Sequence, residues 1–163
     1  MKKHTGTFTE EAIIRLNQPI CCSTAVNNCT EAKNSKPRDA ENLYNELFLA
    51  KGATVVLTRN LWSEAGLDIG SQGFVKYIIY AERSKTTADS MPDMLLIHFP
   101  GYKGRSFLSP DKYKDEKETV VPIHPVEAVW FNSRGQRMTR TQFPLHYGYA
   151  NITLNKAQGE LEK

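Results

Sequence analysis

Residues 46–80 read ELFLAKGATVVLTRNLWSEAGLDIGSQGFVKYIIY, and the alternation inside this stretch sets the fold class. A short apolar run, ELFLA, ends at a Lys51-Gly52 turn. ATVVLTRNLW at 53–62 is then rich in β-branched residues, which suit the pleated surface of a strand. Leu61 to Gly73 carries three glycines and reads as a turn region. Beyond it, GFVKYIIYA offers Val75, Tyr77 and Ile79 on one side and Phe74, Ile78 and Tyr80 on the other, enough to fill both faces of a strand.

Working outward, MLLIHF at 94–99 is an apolar run too short for a helix, and TVVPIHP and EAVWF continue the series of strands, with Pro122 and Pro125 pointing to edge positions or bends. Residues 82–93 are polar, Gly101, Gly104 and Pro110 mark turns, and DKYKDEKE at 111–118 reads as a solvated loop. Short strands at this spacing predict a compact SH3-like β-barrel over roughly 53–131. Upstream, Thr9 followed by Glu10 and Glu11 is an N-cap with acids in the first turn, predicting a helix from about 9 to 17 that ends before Pro19. Residues 27–42, polar with a central proline, are expected to be a surface loop dividing this front segment from the main body.

The chain has 163 residues, one domain or one domain and a short appendage. With 40% hydrophobic and 24% charged residues it can build a core, and a formal net charge of +3 is too small to argue for nucleic acid or membrane by itself. Cys21, Cys22 and Cys29 are an odd cluster without CxxC spacing, and His4, His98, His124 and His146 are scattered, so neither a disulfide framework nor a zinc site is expected. MKKHTGTFTEE lacks an apolar h-region and no apolar run reaches the roughly 18 residues of a membrane span. The chain therefore reads as soluble and intracellular, with reduced thiols.

No GxxxxGK[ST] loop, GxSxG, HExxH or metal-spaced carboxylate set occurs. GYKGRS at 101–106 lacks phosphate-loop spacing, and GLDIGSQG at 66–73 feeds a strand rather than a helix N-terminus, which makes it a turn. One positive feature stands out. Between Glu127 and Glu160 there is no acidic residue, while Arg134, Arg137, Arg140 and Lys156 occur with Trp130, Phe131, Phe143, Tyr147 and Tyr149. Cations for phosphates beside aromatics for bases suit a single strand, and a solvated basic hairpin with its aromatics in the core is the alternative.

The 46–80 stretch, then LLIHFPGYKGRSF, VVPIHP and RTQFPLHYGYANITLNKAQG at 140–159, resembles the C-terminal part of PIF-type (petite integration frequency) DNA helicases, relatives of RecD. The resemblance covers nearly the whole chain in order. It implies an ATP-driven 5′-to-3′ translocase on single-stranded DNA, with two RecA-like domains and an SH3-like insert in the second. The fold it implies here is α+β: a partial RecA-like segment with a polar loop at 1–50, the SH3-like β-rich insert at 51–140, and a second partial RecA-like segment with the DNA-contact motif at 141–163.

By position, Thr153, Asn155 and Lys156 match the family's motif that touches the DNA backbone, and Gln158 and Gly159 match its end facing the nucleotide cleft. Hydroxyl, amide and ammonium donors on one loop suit phosphate oxygens, which fix register without reading sequence. Arg140 and Gln142 are expected to add backbone contacts. Asn155 stands at a histidine position of the motif, Ile69 at the usual asparagine of its GL-x-NG turn, and GELEK follows where an apolar continuation is usual. The phosphate loop, the magnesium-binding acids and a later arginine are missing, so the chain alone is expected to bind neither ATP nor Mg²⁺, which serve the full-length family, and to hydrolyse nothing. Its expected partners are single-stranded DNA and the absent N-terminal motor domain, with no membrane, in a nucleus or mitochondrion as the family implies. The length suggests a fragment of that motor. An autonomous single-strand-binding module, and an inert remnant or protein-interaction domain, are the competing readings.

Overall fold

A computed structural model describes residues 14–81, 91–108 and 117–148. Among them the chain is mostly β, with ten strands and three short helical turns. The strands are β1 (Cys21–Thr24), β2 (Val26–Asn27), β3 (Glu46–Leu49), β4 (Thr54–Leu57), β5 (Gln72–Ile79), β6 (Met94–His98), β7 (Val121–Ile123), β8 (Val126–Phe131), β9 (Arg137–Gln142) and β10 (Leu145–Tyr147). The helical turns are α1 (Thr30–Asn34) and 3-10 turns at Pro37–Ala40 and Ser63–Ala65. The expected helix over 9–17 lies largely outside the described residues. At its described end the Asn17 N–H reaches the Ile14 carbonyl at 3.1 Å, with Asn17 at φ 50°, a left-handed position that asparagine tolerates.

Three antiparallel sheets result, ordered β1-β3, β10-β4-β5-β6-β7 and β2-β9-β8. The strands predicted in 53–131 are all present, and Pro122 sits in β7, an edge of the five-stranded sheet, where a missing N–H costs least. Barrel closure is not: among the described residues no ladder joins β10 to β7, so this sheet is open. The α component of the expected α+β class is also confined, among the described residues, to the short turns above and to residues 14–15. The chain passes from one sheet to another at Ala25, over 28–45, over 50–53, at His124-Pro125 and at Phe143-Pro144. Proline carries no N–H, so it ends a ladder at two of these corners. Sheet pairing thus crosses residues 50 and 140: β2 pairs with β9, and β10 with β4.

The main core fills from alternate positions: Val55 and Leu57 of β4, Val75 of β5, Leu95 and Ile97 of β6, with Leu47, Leu49, Phe99, Phe143 and Leu145, all 1% exposed or less. At about 25 cal/mol per Å² of apolar surface removed from water, side chains of this size contribute roughly 1.5–3 kcal/mol each. Gly66, at φ 83°, lets the 58–71 loop close on the next loop. A Cβ there would stand 2.5 Å from the Gly101 carbonyl oxygen, and Lys103 N–H bonds the Ala65 carbonyl at 3.0 Å.

Residues 27–42 lie mostly at the surface, as expected, but they are built as helical turns rather than an irregular loop. Cys29 caps α1, its Sγ accepting the Ala32 N–H at 3.4 Å, and Pro37 opens the first 3-10 turn. Ala32, Ala40 and the following Leu43 are fully buried, the last two packing with Ala128 against Val126 and Trp130. Two alanines in a polar run leave no apolar period to read. What draws the segment inward is a cation on β9.

Arg140 is fully buried. Its Nε donates to Asn27 Oδ1 at 2.9 Å, Nη1 to the Leu43 carbonyl at 2.8 Å, and Nη2 to the carbonyls of Ala32 at 2.6 Å and Ser35 at 2.9 Å. The guanidinium lies 5.8 Å from the Trp130 ring centroid. Burial presses its pKa below the ordinary guanidinium value, and Asp39 acts the other way. Arg140→Met leaves the Leu43 and Ser35 carbonyls and Asn27 Oδ1 without this donor, and the Ala32 carbonyl with the Ser35 N–H alone, and the expected loss is about 3 kcal/mol or more in the urea unfolding free energy. Arg140→Lys restores little, because an ammonium lacks the planar fork. An Arg140→Met chain as stable as wild type would refute the strut.

Candidate nucleic-acid interface

The residues matched to the DNA-contact motif, Thr153, Asn155, Lys156, Gln158 and Gly159, lie outside the described residues. What is described is the strand that leads to them. Tyr147, on β10, has its hydroxyl accepting the Phe48 N–H, which ties β10 to β3. Gly148 N–H then bonds the Thr54 carbonyl at 3.0 Å, and a Cβ on Gly148 would stand 2.6 Å from Thr54 Cγ2, so only bare backbone fits this exit.

Arg140 and Gln142, the other two residues singled out for DNA, are placed inside the molecule. Both are fully buried. Gln142 Nε2 donates to the Ser23 carbonyl at 2.9 Å, and its Oε1 accepts from the Ser23 hydroxyl at 2.8 Å and from the Phe143 N–H at 3.0 Å, locking β9 to β1. Their polar atoms serve the fold in this arrangement, and neither side chain reaches solvent.

The acid-free stretch splits in the same way. Phe143 is buried in the main core and Trp130 packs on the smaller one, while Phe131 is 66% exposed. At the β8–β9 tip, Asn132 Oδ1 accepts the N–H groups of Arg134 at 3.0 Å and Gln136 at 2.9 Å, and Gly135 takes φ 76°. Arg134 and Arg137 are exposed there, Arg137 beside Glu127 at 3.6 Å in a solvent-facing pair that contributes little to stability. Among the described residues the basic-hairpin form is thus present, with Phe131 turned outward.

Two arrangements escaped sequence reasoning. On the five-stranded sheet, Lys51 Nζ lies 5.2 Å from the Tyr77 ring centroid and Lys76 pairs with Glu118, whose carboxyl is held below its usual range by the Lys76 hydrogen bond. Nearby, His98 Nδ1 is 2.8 Å from the Thr119 carbonyl, which can only accept, so that nitrogen carries the proton. The other arrangement is Cys21 Sγ, 2.7 Å from the Tyr80 hydroxyl. Burial raises both pKa values. Both groups were visible as residues, but the strand crossing that joins them was not. Among the described residues no group of three or more His, Cys, Asp or Glu gathers to hold a metal, and no helix is long and apolar enough to cross a membrane.

No family model matches the chain, and no curated protein matches it by sequence. Solved structures do match. A Pif1 helicase from Candida albicans superposes with a TM-score of 0.56 at 16% identity, over 90% of this chain and 33% of that one. The chain has the fold of part of a Pif1 helicase. Unliganded Pif1 from Bacteroides sp gives 0.53 at 15% identity, over 88% of this chain and 37% of that one. A structure of DNA unwinding at forked double-stranded DNA by two coordinating Pif1 helicases gives 0.52 at 18%, over 88% and 26%. The chain therefore spans between 26% and 37% of the length of these three Pif1 chains.

The Cys21–Tyr80 contact makes a direct chemical prediction. Folding raises the Cys21 pKa above the ordinary 9.0, so its stabilising effect is intact below pH 9 and is lost as pH climbs through the folded value. At pH 8 a maleimide should label exposed Cys29 well before Cys21, with the difference vanishing in urea. Equal rates in the folded chain would contradict the contact.

Proposed function

We propose that this chain is a portion of a PIF-type, ATP-dependent 5′-to-3′ DNA helicase, contributing single-stranded DNA contacts while lacking the ATP-binding motifs. One observation carries the reading: the fold of part of a Pif1 helicase extends over about nine-tenths of the chain. The helicase-like strings of the sequence lie along that same length in the family's order. In this reading the open five-stranded sheet is the core of an SH3-like insert, and the flanking segments are pieces of a RecA-like domain. An N-terminal motor domain supplies the phosphate loop, ATP and Mg²⁺. Unwinding in repair, recombination and telomere maintenance, in a nucleus or mitochondrion, belongs to the whole motor.

The DNA contacts fall on Thr153, Asn155 and Lys156, since Arg140 and Gln142 have their polar atoms engaged internally. Gln158 and Gly159 take the side facing the nucleotide. Phosphate contacts of this kind position a strand without reading its bases. A second reading, an autonomous single-strand-binding module, is favoured by the β8–β9 tip, where Arg134, Arg137 and Phe131 are all exposed in a stretch free of acids.

Fluorescence anisotropy with a labelled oligothymidylate tests the binding. Affinity should fall with rising salt, and Lys156→Ala should weaken it and flatten the log–log slope by about 0.7, the value for one phosphate contact on a single strand. No binding at low salt would leave only an inert remnant or a protein-interaction domain. DNA-stimulated ATP turnover by this chain alone would overturn the claim that it lacks a nucleotide site. Arg134→Ala or Arg137→Ala weakening binding as much as Lys156→Ala would favour the autonomous module.

A further inference from the structure

We propose that the outer edge of β8 is the meeting surface for a second copy of this chain. Two β8 strands pair antiparallel about Val129 and join two three-stranded sheets into one. The inference goes beyond the helicase reading and does not rest on it.

Backbone groups along an antiparallel strand point alternately to one neighbour and the other. On β9, the Thr139 N–H donates to Asn28 Oδ1 at 3.0 Å, its carbonyl accepts the Asn28 N–H at 3.3 Å, and the Arg137 carbonyl accepts from Asn28 Nδ2 at 2.9 Å. Both residues therefore face the β2 side. Their partners across the ladder are Val129 and Phe131, whose N–H and C=O must point away from β9, as do those of Glu127 by the same alternation. Among the described residues no strand pairs with this side. A short strand, a proline, a lysine or a bulge usually protects such an edge. β8 has none of these: VEAVWF runs six residues and keeps register with β9 from end to end. The other outer strands described are shorter. β2 has two residues, β7 and β10 three, and β7 carries Pro122. Side chains already hold the four-residue pair, Gln142 at the Ser23 carbonyl of β1 and Tyr147 at the Phe48 N–H of β3. Apolar side chains accompany the open edge, with Val129 38% and Phe131 66% exposed on the same face.

The charges select the occupant. Glu127 stands towards one end of β8, while Arg137, which reaches Glu127 at 3.6 Å, and Arg134 stand at the other, where Glu31 accepts from Asn132 Nδ2. An edge acidic at its start and basic at its end is complementary to its own reverse. With Val129 opposite Val129 of the second copy, Glu127 faces that copy's Phe131, whose cross-strand neighbour is Arg137. The outward N–H and C=O groups of Glu127, Val129 and Phe131 then find partners, and the two valines meet at the axis. A two-fold contact makes each off-axis interaction twice. A slip of one residue would set Val129 and Phe131 against the opposite face of the other strand, so the register is specified. A foreign strand would have to supply the same apolar alternation with reversed charges, which a second copy carries already.

The test uses the whole chain without nucleic acid, its mass followed by sedimentation and light scattering over a concentration series. The mass of two chains is expected at high concentration, falling to one on dilution. Val129→Pro removes an outward donor that the β8–β9 ladder does not use, so the dimer should be lost while the thermal melt persists. A gain of signal guards against a misfolded variant. In a Cys29→Ser background, where serine can still cap α1, Val129→Cys should be joined to its counterpart by a short bis-maleimide, the two Cα atoms being about 5.5 Å apart. Glu127→Cys, whose counterpart lies towards the far end of the paired strands, should be joined in much lower yield. Should Val129→Pro fail to melt cooperatively, the contrast between positions 129 and 127 decides. A single-chain mass at every concentration overturns the proposal. So does a dimer that survives Val129→Pro and crosslinks no better at 129 than at 127, since its contact lies elsewhere. A dimer that forms only after an oligonucleotide is added overturns it as well.

Discussion

A cation sealed inside this small β fold organises everything around it. Arg140 has no carboxylate at hydrogen-bonding distance among its described partners. It is held by carbonyl dipoles, two of them from the last turn of α1 and the residue that follows it, where unpaired backbone oxygens accumulate and a positive charge is favoured. Removing a guanidinium from water is costly, and only a near-complete set of hydrogen bonds offsets the cost. That requirement works in both directions. The carbonyls of Ser35 and Leu43 take their donor from Arg140, which also adds a second donor to the Ala32 carbonyl, and Arg140 is tolerable only with the 27–43 segment folded over it. A polar segment with little apolar surface of its own thus acquires a fixed position from a residue 97 to 113 places later in the chain.

This long reach explains which parts of the fold could be read from the sequence. TVVL, GFVKYII and MLLIH announce themselves because their apolar side chains sit at strand spacing and face one core. RMTRTQ, which forms β9, and CCST, which forms β1, carry no such pattern. Their inward groups are Arg140, Gln142 and Ser23, and a polar residue is read as exposed unless its partner is known. The inward anchoring of the surface segment 27–42 is hidden for the same reason. Pro125 was legible as a bend, but that the chain changes sheets there depends on which strands pair, and pairing is a property of the whole topology. Closure into a barrel failed as an expectation on that point, since strand number and spacing say nothing about whether the first and last strands meet.

The candidate site shows the same limit in a different form. The motif at Thr153, Asn155 and Lys156 was found by resemblance, from the identity and order of residues, and needs no geometry to be noticed. The Lys76–Glu118 pair needs geometry throughout. Lys76 sits within FVKYII, where strict alternation would give it an ordinary place on one face. Only the register against β6 shows that it is the surplus residue of a bulge. Glu118 closes a run of mixed charges that reads as solvated, yet it meets Lys76 across more than forty residues.

Counting charges along a chain therefore overstates what a surface offers a phosphate. The acid-free stretch names four cations, but their donors are not equally available. Arg140 has carbonyl oxygens around its whole fork, and turning Nη1 to a ligand would take the donor from the buried Leu43 oxygen. Arg137 shares its charge with Glu127 in water, an arrangement that costs little to break. Lys76 lies between these cases: the carboxylate of Glu118, with which it pairs, is exposed at the surface. What separates a structural cation from a binding one is the fate of the acceptor left behind. By that criterion the basic residues best suited to nucleic acid are those whose partners are charged, exposed and replaceable, wherever they fall in the sequence.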